Sequence, residues 1–392
     1  MPAGVLNSEE LINVLFNGDN GHEHAWSPQP PEGQRKADGS AVDLPLGNRY
    51  FVAKASCRPS KSRSIDDIIK DVGNGEEQDL KQDTILERGK VYWIQSTCRS
   101  IKLPPDVSGR ATAKSSIGRL DAMVRLVVAN EDQFDTITAN KPSGHSPVWI
   151  EVVPLTFKLK VSPGMSLSQL RLLRGDDELC ALHYKALKHE DRVLLKENGE
   201  CVDFSEPYFA DDIYAVPLRI NLAEDPEVGC SGFLARQDVN EPIDPSQSGL
   251  LDPTSFWEPV NATGKMVKIE ENRFYIFRSK ERFRIPEHLA VDCRAYSEGL
   301  GDIRIHYAGF AHPLFGRKAA DGISNEKGAP LIFEVRGFSM DSFLRDGDVL
   351  AKVYFRRMSQ PQKSTDGSYT SQELNLSKVF KPWPKLQTTT SP

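Results

Sequence analysis

The chain has 392 residues, a formal net charge of -6 and a hydrophobic content of 39%, so one large or two ordinary soluble domains are expected. The acidic balance argues against a nucleic-acid polymer as partner, which needs a basic footprint. It leaves room for a free nucleotide, since a few local basic groups can hold a triphosphate. No run approaches the roughly 18 apolar residues that would span a bilayer, and no membrane partner is expected.

Met1 to Gly18 lacks the basic start and apolar run of a signal peptide. Cys57, Cys98, Cys180, Cys201, Cys230 and Cys293 form no Cys-x-x-Cys pair, so reduced, structural cysteines and a cytoplasmic address are the expectation. In chain order, Asn7 with Glu10 three residues on predicts a capped short helix, with Leu11, Ile12, Val14 and Leu15 on its apolar side and Gly18 as its stop. Residues 19–40, rich in Gly, Pro and His, predict a loop. A second short helix is predicted from Ser64 to Val72, with Ile65, Ile68 and Ile69 on one side.

From there the pattern turns to strands. The runs beginning at Val91, Met123, Val148 and Leu155 are short, β-branched or aromatic, and punctuated by Pro, Gly, Asn and Asp. Their spacing suits a compact β-barrel or sandwich rather than alternating βαβ units. A helix is predicted from Asp176 to Lys188. Residues 221–262, rich in Pro, Asp and Gly, read as a linker. The stretch 359–392, rich in Ser, Thr, Gln, Lys and Pro, reads as a disordered tail.

The second half repeats the first. Tyr92-Trp93 followed by Leu103-Pro104-Pro105 has a counterpart in Phe274-Tyr275 and Ile285-Pro286-Glu287. Continuing in order, Ala113-Lys114-Ser115 falls on Ala295-Tyr296-Ser297. With one residue of slip, Trp149-Ile150-Glu151-Val152 falls on Ile332-Phe333-Glu334-Val335. The fold class is therefore mainly β, with two tandem barrels over 1–220 and 263–358; two unrelated β-rich domains are the alternative.

The segment richest in chemistry is Lys114-Ser115-Ser116-Ile117-Gly118-Arg119-Leu120. Hydroxyls and backbone N–H groups at a glycine-containing turn can hold phosphate oxygens, and Lys and Arg add charge. A polar turn between strands would look the same. Three segments together resemble the dCTP deaminases, relatives of the trimeric dUTPases. Ser115-Ser116-Ile117-Gly118-Arg119-Leu120 resembles that family's Ser-Ser motif. Ile305 to Gly316, containing Ala311-His312-Pro313-Leu314-Phe315, resembles its nucleoside-binding hairpin. Glu334 and Glu151 each stand where a glutamate follows in a β-run. The likeness covers most of residues 85 to 355 and is closest to a bacterial form with two barrels in one chain.

The resemblance implies two dUTPase-like barrels and hydrolysis of dCTP to dUTP and ammonia. The glutamate of the β-run would act as base and then acid, helped by Ser115 and Arg119. Lys114 and Ser116 would contact phosphates, and main-chain groups of the hairpin near Ala308 would read the base. Mg²⁺ would travel with the triphosphate. Zinc is not expected, since the His-x-Glu and Pro-Cys-x-x-Cys signature of zinc deaminases is missing from the sequence. Sites of this superfamily lie between barrels, so a homo-oligomer is expected.

The first half keeps the serine motif but has Asn130 to Asp135 where its hairpin should be. The second keeps the hairpin but has Ser297-Glu298-Gly299-Leu300-Gly301 in place of the motif. A composite site follows, in which Ser115, Ser116 and Arg119 meet Ala308, His312 and Glu334, with Glu151 as the alternative catalytic carboxylate. Arg236 is a candidate phosphate clamp. His312 replaces the family's hairpin aspartate and Leu314 its glycine, which keeps two alternatives in view: a dUTP diphosphatase, and an inactive nucleotide-binding or regulatory protein.

Overall fold

A computed structural model describes residues 2–19, 21–73, 76–139, 148–176, 180–183, 187, 192–202, 212–295, 303–305, 309–317, 325–364 and 372–384. Each half of the chain forms an antiparallel sheet, and six strands follow the same neighbour order in both. In the front barrel the order is Val107–Ala113, Ser166–Arg174, Val42–Ala53, Val91–Ser96, Trp149–Pro154 and Ala122–Val127. In the rear barrel it is Leu289–Ala295, Val349–Arg357, Ala215–Asn221, Phe274–Phe283, Ala329–Gly337 and Ile303–Ile305. The repeat expected from sequence is thus a repeat of topology, with one adjustment of register. Tyr92 corresponds to Tyr275 rather than to Phe274: the Tyr92 hydroxyl accepts the Glu87 N–H at 2.8 Å, and the Tyr275 hydroxyl accepts the Glu270 N–H at 3.1 Å. The same offset carries Glu151 onto Glu334.

Period-two alternation builds these strands. In Val107–Ala113 the odd-numbered residues are buried and the even-numbered ones half-buried. In Ala329–Gly337, Phe333 and Val335 fill the rear core, while Ile332 packs against the core of the front barrel. The strand therefore serves both barrels, one on each face, and Glu334 and Arg336 leave it on the front-facing side.

The N-terminal helix, Ser8–Ile12, has the capping box the sequence predicts, with Asn7 Oδ1 accepting the Glu10 N–H and Glu10 Oε2 accepting the Asn7 N–H. A π-turn over Asn13–Asn17 extends it, and Gly18 ends it at φ 89. The second helix, Ile65–Val72, starts at Ser64 as expected. Among the described residues, no helix is long and apolar enough to cross a membrane.

Several expectations are corrected. The 221–262 stretch is no mere linker. Its strands Gly232–Ala235 and Trp257–Val260 pair with each other, and the first also pairs with Phe274–Phe283. Phe233, Ile243, Phe256 and Trp257 lie in the same core as the front barrel's Phe157 and Leu159. Burying these large rings outweighs the turn-forming residues around them. The predicted 176–188 helix lies partly outside the described residues, and Ala181–Leu182 within it is a strand paired with Phe355–Arg356.

The tail expectation is corrected as well. Ser359 Oγ donates to the Val5 carbonyl, and the Gln362 amide bonds Ser8. Further on, Leu374, Leu376, Val379 and Phe380 are buried in the shared core. Composition hid four apolar anchors spaced among polar residues. Finally, the front counterpart of the hairpin strand Phe310–Ala311 is Thr136–Ile137, which makes the equivalent pairing to Arg110 and Gly109, rather than Asn130 to Asp135.

Candidate active site

Ser115–Gly118 is a single helical turn that leaves the end of Val107–Ala113 and returns into Ala122–Val127. Ser116, Gly118 and Arg119 are buried. Across the seam stands Glu334. Its carboxylate lies so close to Gly118 that a Cβ added there would sit 2.2 Å from Oε2 and 2.8 Å from Oε1. A side chain at position 118 would therefore displace the carboxylate that one barrel sets against the serine turn of the other. The structure brings together Glu334 and the Ser-Ser turn within one chain.

The C-terminal segment closes over this junction. Arg119 Nη1 donates to the carbonyls of Asn375 and Leu376, both at 3.3 Å, and Nη2 donates to Gln372 Oε1 at 2.6 Å. Gln372 in turn donates to the carbonyl of Pro330, on the strand that carries Glu334. Ser377 Oγ donates to the Ser116 carbonyl at 2.7 Å. Arg282 forks onto Glu373, holding the segment from the rear side. The contact of Gln372 with Arg119 was not legible from sequence, because Gln372 lies in a stretch whose composition reads as disorder.

The hairpin packs beside the same junction. Gly309 accepts the Cys293 N–H at 2.5 Å. Burial first, and then the charges of Asp292 and Glu334, push the Cys293 thiol up to about 12, so it is a neutral filler next to the carboxylate. His312 lies against the front barrel. Its Nδ1 accepts a long 3.5 Å bond from the Ser40 N–H, and its ring meets Phe310 edge-on at 4.9 Å. Gly39, at φ 58, leaves room for the imidazole, since a Cβ there would be 2.8 Å from Nδ1. Burial, and secondarily the Arg171 guanidinium, pushes His312 down to about 4, so the ring is neutral at physiological pH. Arg171 stacks on Phe310 at 3.8 Å and pairs with Asp292 at 3.4 Å. These contacts, also missed from sequence, tie the hairpin to the front barrel.

The remaining predicted residues divide. Lys114 is present at the turn, but its ammonium is paired with Asp43 at 2.7 and 2.9 Å. Glu151 is not at the junction. It is fully buried in the front barrel, where it accepts from Trp93 Nε1 at 3.0 Å and Ser56 Oγ at 2.9 Å, with Arg125 at 3.7 Å. Each of its oxygens accepts a hydrogen bond from within the front barrel. Arg236 is taken by Glu258 at 2.8 Å and the Thr254 carbonyl at 3.1 Å, and no contact with the serine turn is seen among the described residues. Ala308 and Ser297 to Gly301 lie outside the described residues.

Two duplicated barrels of the dUTPase-like fold class bring a serine turn from one and a glutamate from the other to a shared junction. Comparison with known proteins gives the family. The model of the N-terminal domain of 2'-deoxycytidine 5'-triphosphate deaminase matches residues 3–176, and that of its C-terminal domain matches residues 179–380. The chain belongs to this family, and it is an enzyme that deaminates dCTP. It is similar to a crystal structure of 2'-deoxycytidine 5'-triphosphate deaminase from Agrobacterium tumefaciens, with a TM-score of 0.74 and 28% identity, covering 91% of this chain and 100% of that one. A dCTP deaminase from Natronomonas pharaonis is 26% identical over 173 residues, 42% of this chain and 78% of the relative. A dUMP-forming dCTP deaminase from Dictyoglomus turgidum is 30% identical over 106 residues, 25% of this chain and 50% of the relative.

Proposed function

We propose that Glu334 activates the water that deaminates dCTP. Its carboxylate takes a proton from water as the oxygen attacks C4 of cytosine. It then returns that proton to the 4-amino group, the C4–N bond breaks, and dUTP and ammonia leave. The observation that supports this reading is the approach of the Glu334 carboxylate to Gly118, in the same helical turn as Ser115 and Ser116. In this reading Ser115 and Arg119 help orient the reacting groups, and Ser116 holds phosphate. Lys114 joins it once the triphosphate competes with Asp43. The substrate is the magnesium complex of dCTP, and the water is activated by the carboxylate, not by zinc.

His312 suits a ribose hydroxyl, because a neutral imidazole can both donate and accept. It does not supply the hairpin carboxylate that attack at the α-phosphate of dUTP would need. The product feeds thymidylate synthesis, which agrees with a cytoplasmic enzyme. One chain suffices to bring the serine turn and the glutamate together, so assembly into an oligomer would multiply such sites.

The test is to incubate the full chain with Mg²⁺ and either dCTP or dUTP, following ammonia and pyrophosphate separately. Ammonia from dCTP, lost in Glu334→Gln while the variant still binds dCTP, is the expected result. Full ammonia release by Glu334→Gln overturns the assignment. Pyrophosphate from dUTP as the main product would favour a diphosphatase, and binding without turnover a regulatory role.

A further inference from the structure

The geometry points to the ion pair between Asp121 of the front barrel and Arg336 of the rear barrel as a positioning clamp for the catalytic glutamate. This inference rests on the reading of Glu334 as the base. Glu334 and Arg336 are alternate residues of the Ala329–Gly337 strand, so their side chains leave the same face. Both reach the same short stretch of the front barrel: Glu334 meets Gly118, and Arg336 Nη1 meets the carboxylate of Asp121. A second bond runs from Arg336 Nη1 to Thr156 Oγ1 at 3.2 Å, and the Thr156 hydroxyl donates to Asp121.

Asp121 is itself fixed at both ends. Its N–H donates to the Gly118 carbonyl, and its carbonyl accepts the Leu155 N–H, each at 2.9 Å. It is fully buried and takes the left-handed conformation, φ 54, that turns the chain out of the serine motif. An Arg–carboxylate link with one buried partner is short, directional and hard to slide. Any shift of the rear strand relative to the serine turn must break it. The clamp therefore sets the distance between the glutamate and the groups it works with, and touches no reacting atom.

The prediction concerns the rate at saturation rather than substrate capture. Misplacing a reacting group by about 1 Å can lower the rate on the order of a hundredfold. Arg336→Met is expected to lower kcat for ammonia release by about tenfold or more, with KM for dCTP changed less than about threefold. Arg336→Lys keeps the charge but replaces the planar Nη1 donor by a flexible ammonium, and should show a smaller loss of kcat. Asp121→Asn suits the left-handed backbone and removes the charge. The double variant Asp121→Asn/Arg336→Gln replaces the ion pair by a neutral amide link and should recover most of the kcat lost in Arg336→Met.

Thermal unfolding and titration of active sites would accompany each variant, so that loss of folded protein is separated from loss of kcat per site. If Arg336→Met does not fold, Arg336→Lys and Asp121→Asn carry the test. Wild-type kcat per folded site in both overturns the clamp. So does a loss that appears only in KM, or only in the fraction folded. Glu334→Gln is measured in parallel: full rate there overturns the catalytic reading and the clamp with it. Loss of rate in Glu334→Gln beside wild-type rate in the clamp variants overturns the clamp alone.

Discussion

The strands Trp149–Pro154 and Ala329–Gly337 occupy the same place in their barrels and carry a glutamate at the same position, yet the two carboxylates have different surroundings. Glu151 is closed in by its own barrel, with Trp93, Ser56 and Arg125 as partners. Glu334 is carried to the seam and meets Gly118 of the other barrel. The hairpins differ in parallel. In the front copy Thr138, just past Thr136–Ile137, gives its N–H and hydroxyl to Glu131 of the same barrel. In the rear copy His312 faces Gly39 and Ser40 across the seam. The two copies thus differ in where the glutamate finds its neighbours: within its own barrel for Glu151, and across the seam for Glu334.

Exchanging each glutamate for glutamine breaks or sharpens this contrast most directly. Glu334→Gln should lower ammonia release by about a thousandfold, the scale of a lost general base, with dCTP binding retained in calorimetry. The reverse result, loss in Glu151→Gln and full rate in Glu334→Gln, would exchange the roles of the two copies. Next in size is Arg119→Ala. It leaves Gln372 and the carbonyls of Asn375 and Leu376 without their buried donor, at a cost of about 1–3 kcal/mol for each group left unsatisfied. A lower melting temperature and rapid proteolysis within residues 372–384 are expected; a protected tail would show that the apolar anchors hold it alone.

Glu151→Gln is a smaller perturbation. It should cost about 1–3 kcal/mol of stability, because Arg125 loses its counter-charge, with kcat unchanged in the ammonia assay. The smallest effect concerns pH. His312 is held neutral in the fold with its pKa pushed down to about 4, whereas an unfolded histidine protonates near 6.5. Between these values the unfolded chain binds the extra proton. This group's contribution is therefore complete above about pH 6.5 and is lost as pH falls towards 4. Denaturation midpoints from pH 7 to 4 should fall less steeply in His312→Gln than in the parent, and identical slopes would refute the burial of a neutral imidazole.

Alternating β-branched runs, the Asn7 capping box and the paired motifs of the two halves were legible from residues close together in the chain, because strand faces and helix caps depend on spacing of a few positions. The same local logic named Ser115, Ser116, Glu334 and Arg236 as candidates, and missed that Arg236 pairs with Glu258. It failed too for the last segment, where Leu374, Leu376, Val379 and Phe380 find a core that composition does not announce. Which glutamate meets the serine turn, that Gln372 bonds Arg119, and that Asp121 grips Arg336 were decided only by packing. These partners lie far apart in sequence, and only the folded seam places their donors and acceptors within bonding reach.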